Sequence, residues 1–275
     1  MGLRINNNIA SLNAQKNLQR SQDSLGRTFE RLSSGLRITR ASDDAAGLAI
    51  SERLRSRIRS LNQAIRNAND GVSLVQTAEG ALDEVSSVLV RLRELAVQAS
   101  NGTTSNDDKD TLDNEFQSLV GEIDRIAQVT AFNGTSLLDG TQSTVSIRVS
   151  DGTAAIDSIS VSLESIRTSA LTINSLDIGS GGDTTTAITN LDAAINSVAR
   201  IRGNLGAAQN RLEAAISNVG NAANNLQAAE SRVRDVDVAA ETAILTRNSI
   251  LQQAAISILA QANAAPQSAL TLLRG

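Results

Sequence analysis

Residues 54–99, LRSRIRSLNQAIRNANDGVSLVQTAEGALDEVSSVLVRLRELAVQA, decide the fold. Every seventh residue from Leu54 is apolar, through Leu61, Ala68, Val75, Leu82, Leu89 and Ala96. A second row runs Ile58, Ile65 and Val72, then shifts by one to Ala78, Val85, Leu92 and Ala99. Two rows interlocked at spacings of three and four put an apolar seam along one side of a helix, with the period of helices that wind on one another. The pattern predicts one helix from about Asp43 to about Ser100, roughly 85 Å long. Gly71 and Gly80 each weaken it by roughly 1 kcal/mol relative to alanine, so packing has to hold it.

Working outward, the second half repeats the seam. Leu191, Val198, Leu205, Leu212, Val219, Leu226, Val233 and Ala240 recur at sevens, and a companion row is nearly all alanine: Ala208, Ala215, Ala222, Ala229, then Val236 and Ala243. Alanine at one seam position lets a partner helix come close. A shorter helix carries Leu112, Phe116, Leu119, Ile123 and Ile126 after the polar turn NGTTSNDDKD, whose acids suit a helix start. The expected architecture is mainly α: a long antiparallel rod of three coiled-coil-like helices. Residues 131–187 differ in kind. Val145, Ile147 and Val149 alternate, as do Ile159, Val161 and Leu163, around Asp151-Gly152, which reads as a β-hairpin tip, followed by GSGGDTTT as a loose loop.

Outside the rod lie two terminal arms, expected as paired helices. One has a stripe of Ile5, Ile9, Leu12, Leu18, Leu25, Phe29 and Leu32, the other of Ile244, Leu251, Ala255, Ile258, Leu259 and Ala262. Each is too thin to bury its stripe alone, so the arms pair with each other, need other molecules, or both. Between the first arm and the rod, Gly35 suits a helix C-cap, Ser42 an N-cap, Asp43 and Asp44 the dipole of the next helix, and Gly47 a close approach. The domains expected are 1–44 with 236–275, 45–130 with 188–235, and 131–187. Pro266, the only proline, is expected to interrupt the last helix.

Composition narrows the chemistry. Aromatic residues make up 1% of the chain, namely Phe29, Phe116 and Phe132, and there is no cysteine or histidine. Disulfides, imidazole or thiolate metal sites, and Cys-His or Ser-His-Asp catalysis are therefore excluded, and neither a catalytic residue nor a cofactor or metal site is expected. The acidic run at 106–110 lacks the glycine and distal glutamate of an EF-hand loop. Net charge is -4, yet residues 1–70 are basic. Arg53, Arg55, Arg57 and Arg59 fall on both flanks of the Leu54, Ile58, Leu61 stripe, which fits a packed helix better than a nucleic-acid surface. The first residues carry neither the apolar core of a secretory signal nor, with Asn6 at the critical place, a myristoylation motif, and no run suits membrane insertion. Asn101-Gly102-Thr103 and Asn133-Gly134-Thr135 fit the N-glycosylation pattern but read better as turns.

Seven ordered segments resemble bacterial flagellin: SLNAQKNL, LSSGLRITRASDDAAGLAISERLRSRI, DGVSLVQTAEGAL, RLRELAVQASNGT, EIDRIAQVTAFNGTSLLDG, LGAAQNRLEAAISN and ILAQANAAPQSALTLLRG. They span about residues 1–140 and 190–275. The resemblance implies a structural subunit of the extracellular flagellar filament. It implies export through the flagellar type III channel with an export chaperone, and neighbours in the hook-associated junction and cap proteins. The terminal arms, with Ile5, Ile9, Leu12, Leu18, Leu251, Ile258 and Leu259, would line an inner tube, and the large outer insertion of many flagellins is almost absent. Residues 89–97, LVRLRELAV, match the segment read by the flagellin-sensing Toll-like receptor, which implies contacts at Arg91 and Leu95, with Glu115 from the neighbouring helix; Leu89 and Leu92 belong to the seam. Ser143, Thr144, Ser158 and Thr184 are candidate O-glycosylation sites. A hook-filament junction protein shares the terminal architecture, and an intracellular coiled-coil scaffold would share the heptads.

Overall fold

The computed structural model describes the backbone of residues 7–274 and the side chains of residues 7–265. Five helices carry the chain: α1 (Ile9–Ser34), α2 (Ala45–Ala99), α3 (Asn106–Val129), α4 (Thr184–Arg234) and α5 (Val238–Arg274). Between α3 and α4 lie four short strands, β1 (Ala131–Phe132), β2 (Thr135–Ser136), β3 (Thr144–Arg148) and β4 (Ser158–Ser162). The chain divides into two units, one of Met1–Ser56 with Asn225–Gly275 and one of Arg57–Asn224. The break between α1 and α2 therefore lies inside the first unit.

In the second unit the α2 seam is buried as its period predicts. Leu61, Ala68, Val75, Leu82, Leu89 and Ala96, with Ala78, Val85, Leu92 and Ala99, reach almost no solvent. Helix α4 faces them with Ala187, Leu191, Ala194, Val198, Ile201, Leu205, Ala208 and Leu212, steps of four and three. The two run antiparallel, since Arg93 bonds Asp192 at 2.6 Å while Arg202 meets Asp83 at 3.0 Å. Helix α3 adds Phe116, Val120, Ile123 and Ala127. Ser105 caps it by accepting from the Asp108 amide, and Asp107 and Asp108 occupy its first turn. The alanine row departs from expectation beyond Ala208: Ala215 is half-buried, Ala222 is exposed and Ala223 is buried instead. A straight helix drifts about 20° per heptad, so the next residue rotates into the seam.

The apolar content of residues 131–187 closes this core. β3 and β4 pair antiparallel with Val145 opposite Val161 and Ile147 opposite Ile159, as their alternation predicts. Their connection is not a two-residue turn at Asp151-Gly152. It spans residues 149–157, contains a 3₁₀ turn at Ala155–Asp157, and continues the pairing with Val149 N–H donating to Asp157 O at 2.9 Å. A second hairpin, β1 with β2, turns on Asn133 and Gly134, both at positive φ (48° and 78°), the Asn-Gly pair such two-residue turns favour. The run GSGGDTTT at 179–186, expected as a loose loop, is tied down, and so is the stretch that precedes it. Leu163, Ile166, Leu171, Ile173, Leu176 and Ile178 are buried. Three carboxylates of α3 hold this run: Asp124 accepts from Thr168 N–H (2.9 Å), Asp113 from Ile178 N–H (3.1 Å) and Asp110 from Ser180 N–H (2.8 Å). Asp183 then caps α4, so the Thr184–Thr186 run is helix rather than loop.

In the first unit α1 and α5 lie antiparallel and close together. Ser11 bonds Asn263 at 2.7 Å, Asn248 bonds Ser24 at 3.0 Å and Arg31 faces Glu241 at 3.9 Å. Gly35 ends α1 in the left-handed region at φ 71°, as expected of a C-cap. Ser42 does not cap α2. That role falls to Asp44, whose carboxylate accepts from Gly47 N–H at 2.8 Å, two residues nearer the helix start. Asp43 instead ties the preceding turn by accepting from Thr39 and Arg40 N–H at 3.2 and 3.1 Å. A Cβ on Gly47 would stand 2.5 Å from Asp44 Oδ2 and 2.8 Å from Ile38 Cδ1, so any larger residue has to displace the capping carboxylate or the Ile38 side chain. Helix α5 runs through Pro266 to Arg274. Proline costs one backbone donor there, and the turns on either side carry the helix on.

The glycines of α2 separate two effects that the sequence alone merges. A Cβ on Gly71 would collide with the Ile147 side chain, whereas one on Gly80 would meet nothing. Gly80→Ala is expected to raise stability by up to about 1 kcal/mol, and Gly71→Ala to lower it by about 1–3 kcal/mol through overpacking, in chemical denaturation.

Asp110 is held below the usual aspartate range by the Ser180 amide, and Asp43 by the Arg40 amide. A carboxylate lowered in the folded state contributes stability that is complete above its unfolded pKa and disappears as pH falls through the folded one. Thermal stability should therefore hold steady from pH 7 to about 5 and fall below about pH 4. In Asp110→Asn the fall is expected to be shallower, with amide exchange at Ser180 accelerated already at pH 7.

Candidate assembly surface

The pairing of α1 with α5 is built from small and polar residues. Ser11, Ala14 and Thr28 are the buried side chains of α1, and Glu241 and Asn248 are buried on α5. Small residues permit close backbone approach, and Asn8 exploits it: its side-chain amide donates to Ala262 O at 2.7 Å while its oxygen caps α1. The large apolar residues are therefore left outside. Leu12 is 62% exposed, Ile258 57% and Phe29 56%, and Ile9, Ile50, Val238, Ile250, Leu251 and Ile256 are also exposed. Leu18 and Leu259 are half-buried. Ile5 lies outside the described residues.

This is a surface that water does not tolerate well over such an area, and its residues are too numerous to be incidental. Those on α5 surround the helix: at 100° per residue Ile250, Leu251 and Ile256 point in different directions. Pairing with α1 covers one side and leaves Ile250, Leu251, Ile256 and Ile258 exposed. The sequence stripes named only part of it. Ile250, Ile256, Val238 and Ile50 were legible only from the all-round apolarity of α5 and the first turns of α2.

At the root of the arms, three chain segments are clasped. Arg37 N–H donates to Arg234 O at 2.6 Å and Val236 N–H to Gly35 O at 3.0 Å, forming a one-pair bridge between Leu36 and Asp235. Arg37 also donates to Val233 O, and Arg234 reaches Glu52 on α2 at 2.6 Å, which holds the Glu52 carboxyl below its ordinary range. No sequence pattern announces this clasp.

The other candidate residues are dispersed. Arg91 bonds Glu115 at 2.8 Å and Glu94 at 3.2 Å, all partly exposed. Leu95, expected as a surface contact, is fully buried in the core beside Leu92 and Ala96. The seam takes it because it lies three residues beyond Leu92, and the exposed apolar side chains there are Val90 and Val97. Ser143 and Thr144 are exposed, whereas Ser158 and Thr184 are half-buried. Of the arginines, Arg57 is paired with Asp151 at 2.7 Å and Arg55 with Glu52 at 3.2 Å, each within its own unit. Among the described residues no group of three or more acidic, histidine or cysteine side chains could hold a metal, and no helix is long and apolar enough to cross a membrane.

Comparison with known proteins agrees with this arrangement. The model for the bacterial flagellin N-terminal helical region matches residues 5–143, and that for the C-terminal helical region matches residues 188–273. A flagellin of Halalkalibacterium halodurans is 50% identical over 273 residues, covering 98% of this chain and 99% of the relative. One of Bacillus subtilis is 43% identical over 304 residues, covering 99% and 100%. The crystal structure of Bacillus cereus flagellin, 38% identical, matches with a TM-score of 0.51 over 60% of this chain and 94% of that one. A putative flagellar hook-associated protein of Vibrio parahaemolyticus, 14% identical with a TM-score of 0.62 over 70% of this chain and all of that one, shares the fold. With both helical regions matched and identity carried along nearly its whole length, the chain belongs to the bacterial flagellin family, the structural subunits of the flagellar filament.

Proposed function

We propose that the paired arms drive polymerisation, each copy covering the outward apolar side chains of its neighbours, and that the finished polymer is extracellular. The observation that carries this reading is the inverted pair α1 and α5, which buries Ser11, Thr28 and Asn248 and exposes Leu12, Phe29 and Ile258. Contacts that map one face onto a different face of the next copy do not close, and repetition gives a helical filament. The subunit leaves the cell through the flagellar type III channel with its chaperone and meets the junction and cap proteins at the filament ends. Family membership supports that route. For an immune receptor, the surface on offer at 89–97 is Arg91 with Glu115, flanked by Val90 and Val97.

The test is assembly itself. The intact chain, seeded and salted out, is expected to form long filaments in electron micrographs, and a chain lacking residues 1–44 is expected to form none while its remaining helices persist by circular dichroism. Leu12→Asp and Ile258→Asp should each raise the critical concentration roughly 10- to 100-fold, since each side chain gives up about 1.5–3 kcal/mol of burial. Short closed rings from the intact chain would refute the reading.

A further inference from the structure

The cations of this chain are nearly all of one kind. Of its 25 basic residues 23 are arginine, and the two lysines are Lys16, exposed on α1, and Lys109, half-buried in the first turn of α3. Histidine, cysteine and tyrosine do not occur. Those three types and lysine are the side chains whose ordinary pKa lies between about 6.5 and 10.4. Almost no side chain therefore changes charge between the carboxylates, near pH 4, and the guanidinium groups, above about pH 12. Neutralising both lysines takes the side-chain net charge only from -4 to -6. The same chain with lysine at all 25 basic positions would stand at -29 by then, with its 29 carboxylates repelling one another.

The ion pairs carry the same choice into the fold. Among the described residues every one has arginine as its cation. In the second unit they join elements far apart in sequence. Arg93 of α2 bonds Asp192 of α4 at 2.6 Å, and Arg202 of α4 lies 3.0 Å from Asp83 and 3.9 Å from Glu79 of α2. Arg57 of α2 bonds Asp151 of the β3–β4 connection at 2.7 Å. Arg200 of α4 grips Glu164, just past β4, with two nitrogens at 2.9 and 2.8 Å, a fork that the planar guanidinium makes and an ammonium does not. Hydrogen bonding to these carboxylates raises Arg57, Arg93 and Arg200 further above their ordinary range. A cation raised in the folded state contributes stability that is complete below its unfolded pKa and lost as pH rises through the folded one. For arginine that loss lies beyond about pH 12, whereas for lysine it begins near pH 10.4.

We propose that this subunit is built to keep one charge and one set of cross-links in strongly alkaline surroundings, up to about pH 11.5. Two separate features serve that end. Without tyrosine, cysteine and histidine, and with two lysines, the chain takes on little new net charge as pH rises, so its compact form meets little added self-repulsion. With arginine as the partner of each carboxylate, the ties of α2 to α4 and of both helices to the strand region stay charged on both sides. The proposal concerns the folded subunit and holds whether or not copies polymerise.

The test is urea denaturation of the full chain as dispersed subunits at 25 °C, followed by circular dichroism at several pH values from 7 to 11.5 and constant ionic strength. The midpoint of the unaltered chain is expected to vary by less than about 0.5 M across the series. A variant with Arg57→Lys, Arg93→Lys and Arg200→Lys keeps its cations at pH 7 and loses them at pH 11.5. Its midpoint is expected to drop by about 0.3–1 M more than that of the unaltered chain between those two pH values. Reading the change with pH, rather than the midpoint at one pH, removes what the different shape of lysine costs already at pH 7. A second variant places lysine at Arg59, Arg66 and Arg211, exposed arginines outside the ion pairs. It loses the same charge with pH and is expected to follow the unaltered chain. Loss of helix by the unaltered chain between pH 9 and 11.5, or a fall of its midpoint by more than about 1 M, would overturn the proposal. So would a paired-site variant that tracks the unaltered chain at pH 11.5, or a second variant that drops as far as the first.

Discussion

Close approach of α1 to α5 sets the terms for everything else. Two helices can come that near only where small side chains face each other, and Ser11, Ala14 and Thr28 supply the space. Having spent that face on small residues, the arms have nowhere inside their own unit for Leu12, Phe29, Ile250 or Ile258. The first unit is thus incomplete as a buried structure. An ordinary globular protein resolves such a conflict by adding a layer; a polymer resolves it by adding a copy. The second unit has no such conflict, because α2, α3 and α4 close a continuous core with Phe116 and the strands. The two units differ in what their helices bury, an apolar seam in one and mostly small or polar side chains in the other.

Long periodic segments were legible from residues alone. The rows from Leu61 to Ala96 and from Leu191 to Leu212 are buried where their period puts them, while Leu54, Ile58, Ile65 and Val72 are half-buried. The β3 and β4 alternation pairs Val145 with Val161, and Gly35 caps α1. What the sequence obscured lies where distant segments meet. Nothing in GSGGDTTT points to Asp110, seventy residues earlier, as the acceptor that ties down Ser180. A serine, Ser42, and an aspartate, Asp44, are both good caps, and only the path of the turn through Arg40 and Asp43 decides between them. Leu95 is named by the resemblance of residues 89–97 alone; its place three residues beyond Leu92 puts it inside the seam.

For the assembly surface the limit was of another kind. Apolar stripes were visible on both arms, yet a stripe is read by assuming that the apolar side faces in. Here the small polar side faces in at the α1–α5 contact and the apolar side faces out. Only the observed pairing, with Asn248 on Ser24 and Ser11 on Asn263, inverts that assumption.

The clasp between Leu36 and Asp235 has a mechanical meaning. Helices resist bending because every turn is braced by its hydrogen-bond ladder. At this level both strands of the arm leave the helical state together, α1 to α2 across residues 35–44 and α4 to α5 across 235–237, and the gap is spanned by two backbone bonds and by side chains: Arg37 to Val233, Arg234 to Glu52, Arg31 to Asp43 and Arg40 to Glu30. Bending within this unit therefore concentrates at one level, as in the coupling of a driven shaft. A part that must turn at one end while being pulled sideways by fluid needs such a place, stiff in its bars and yielding at its joint.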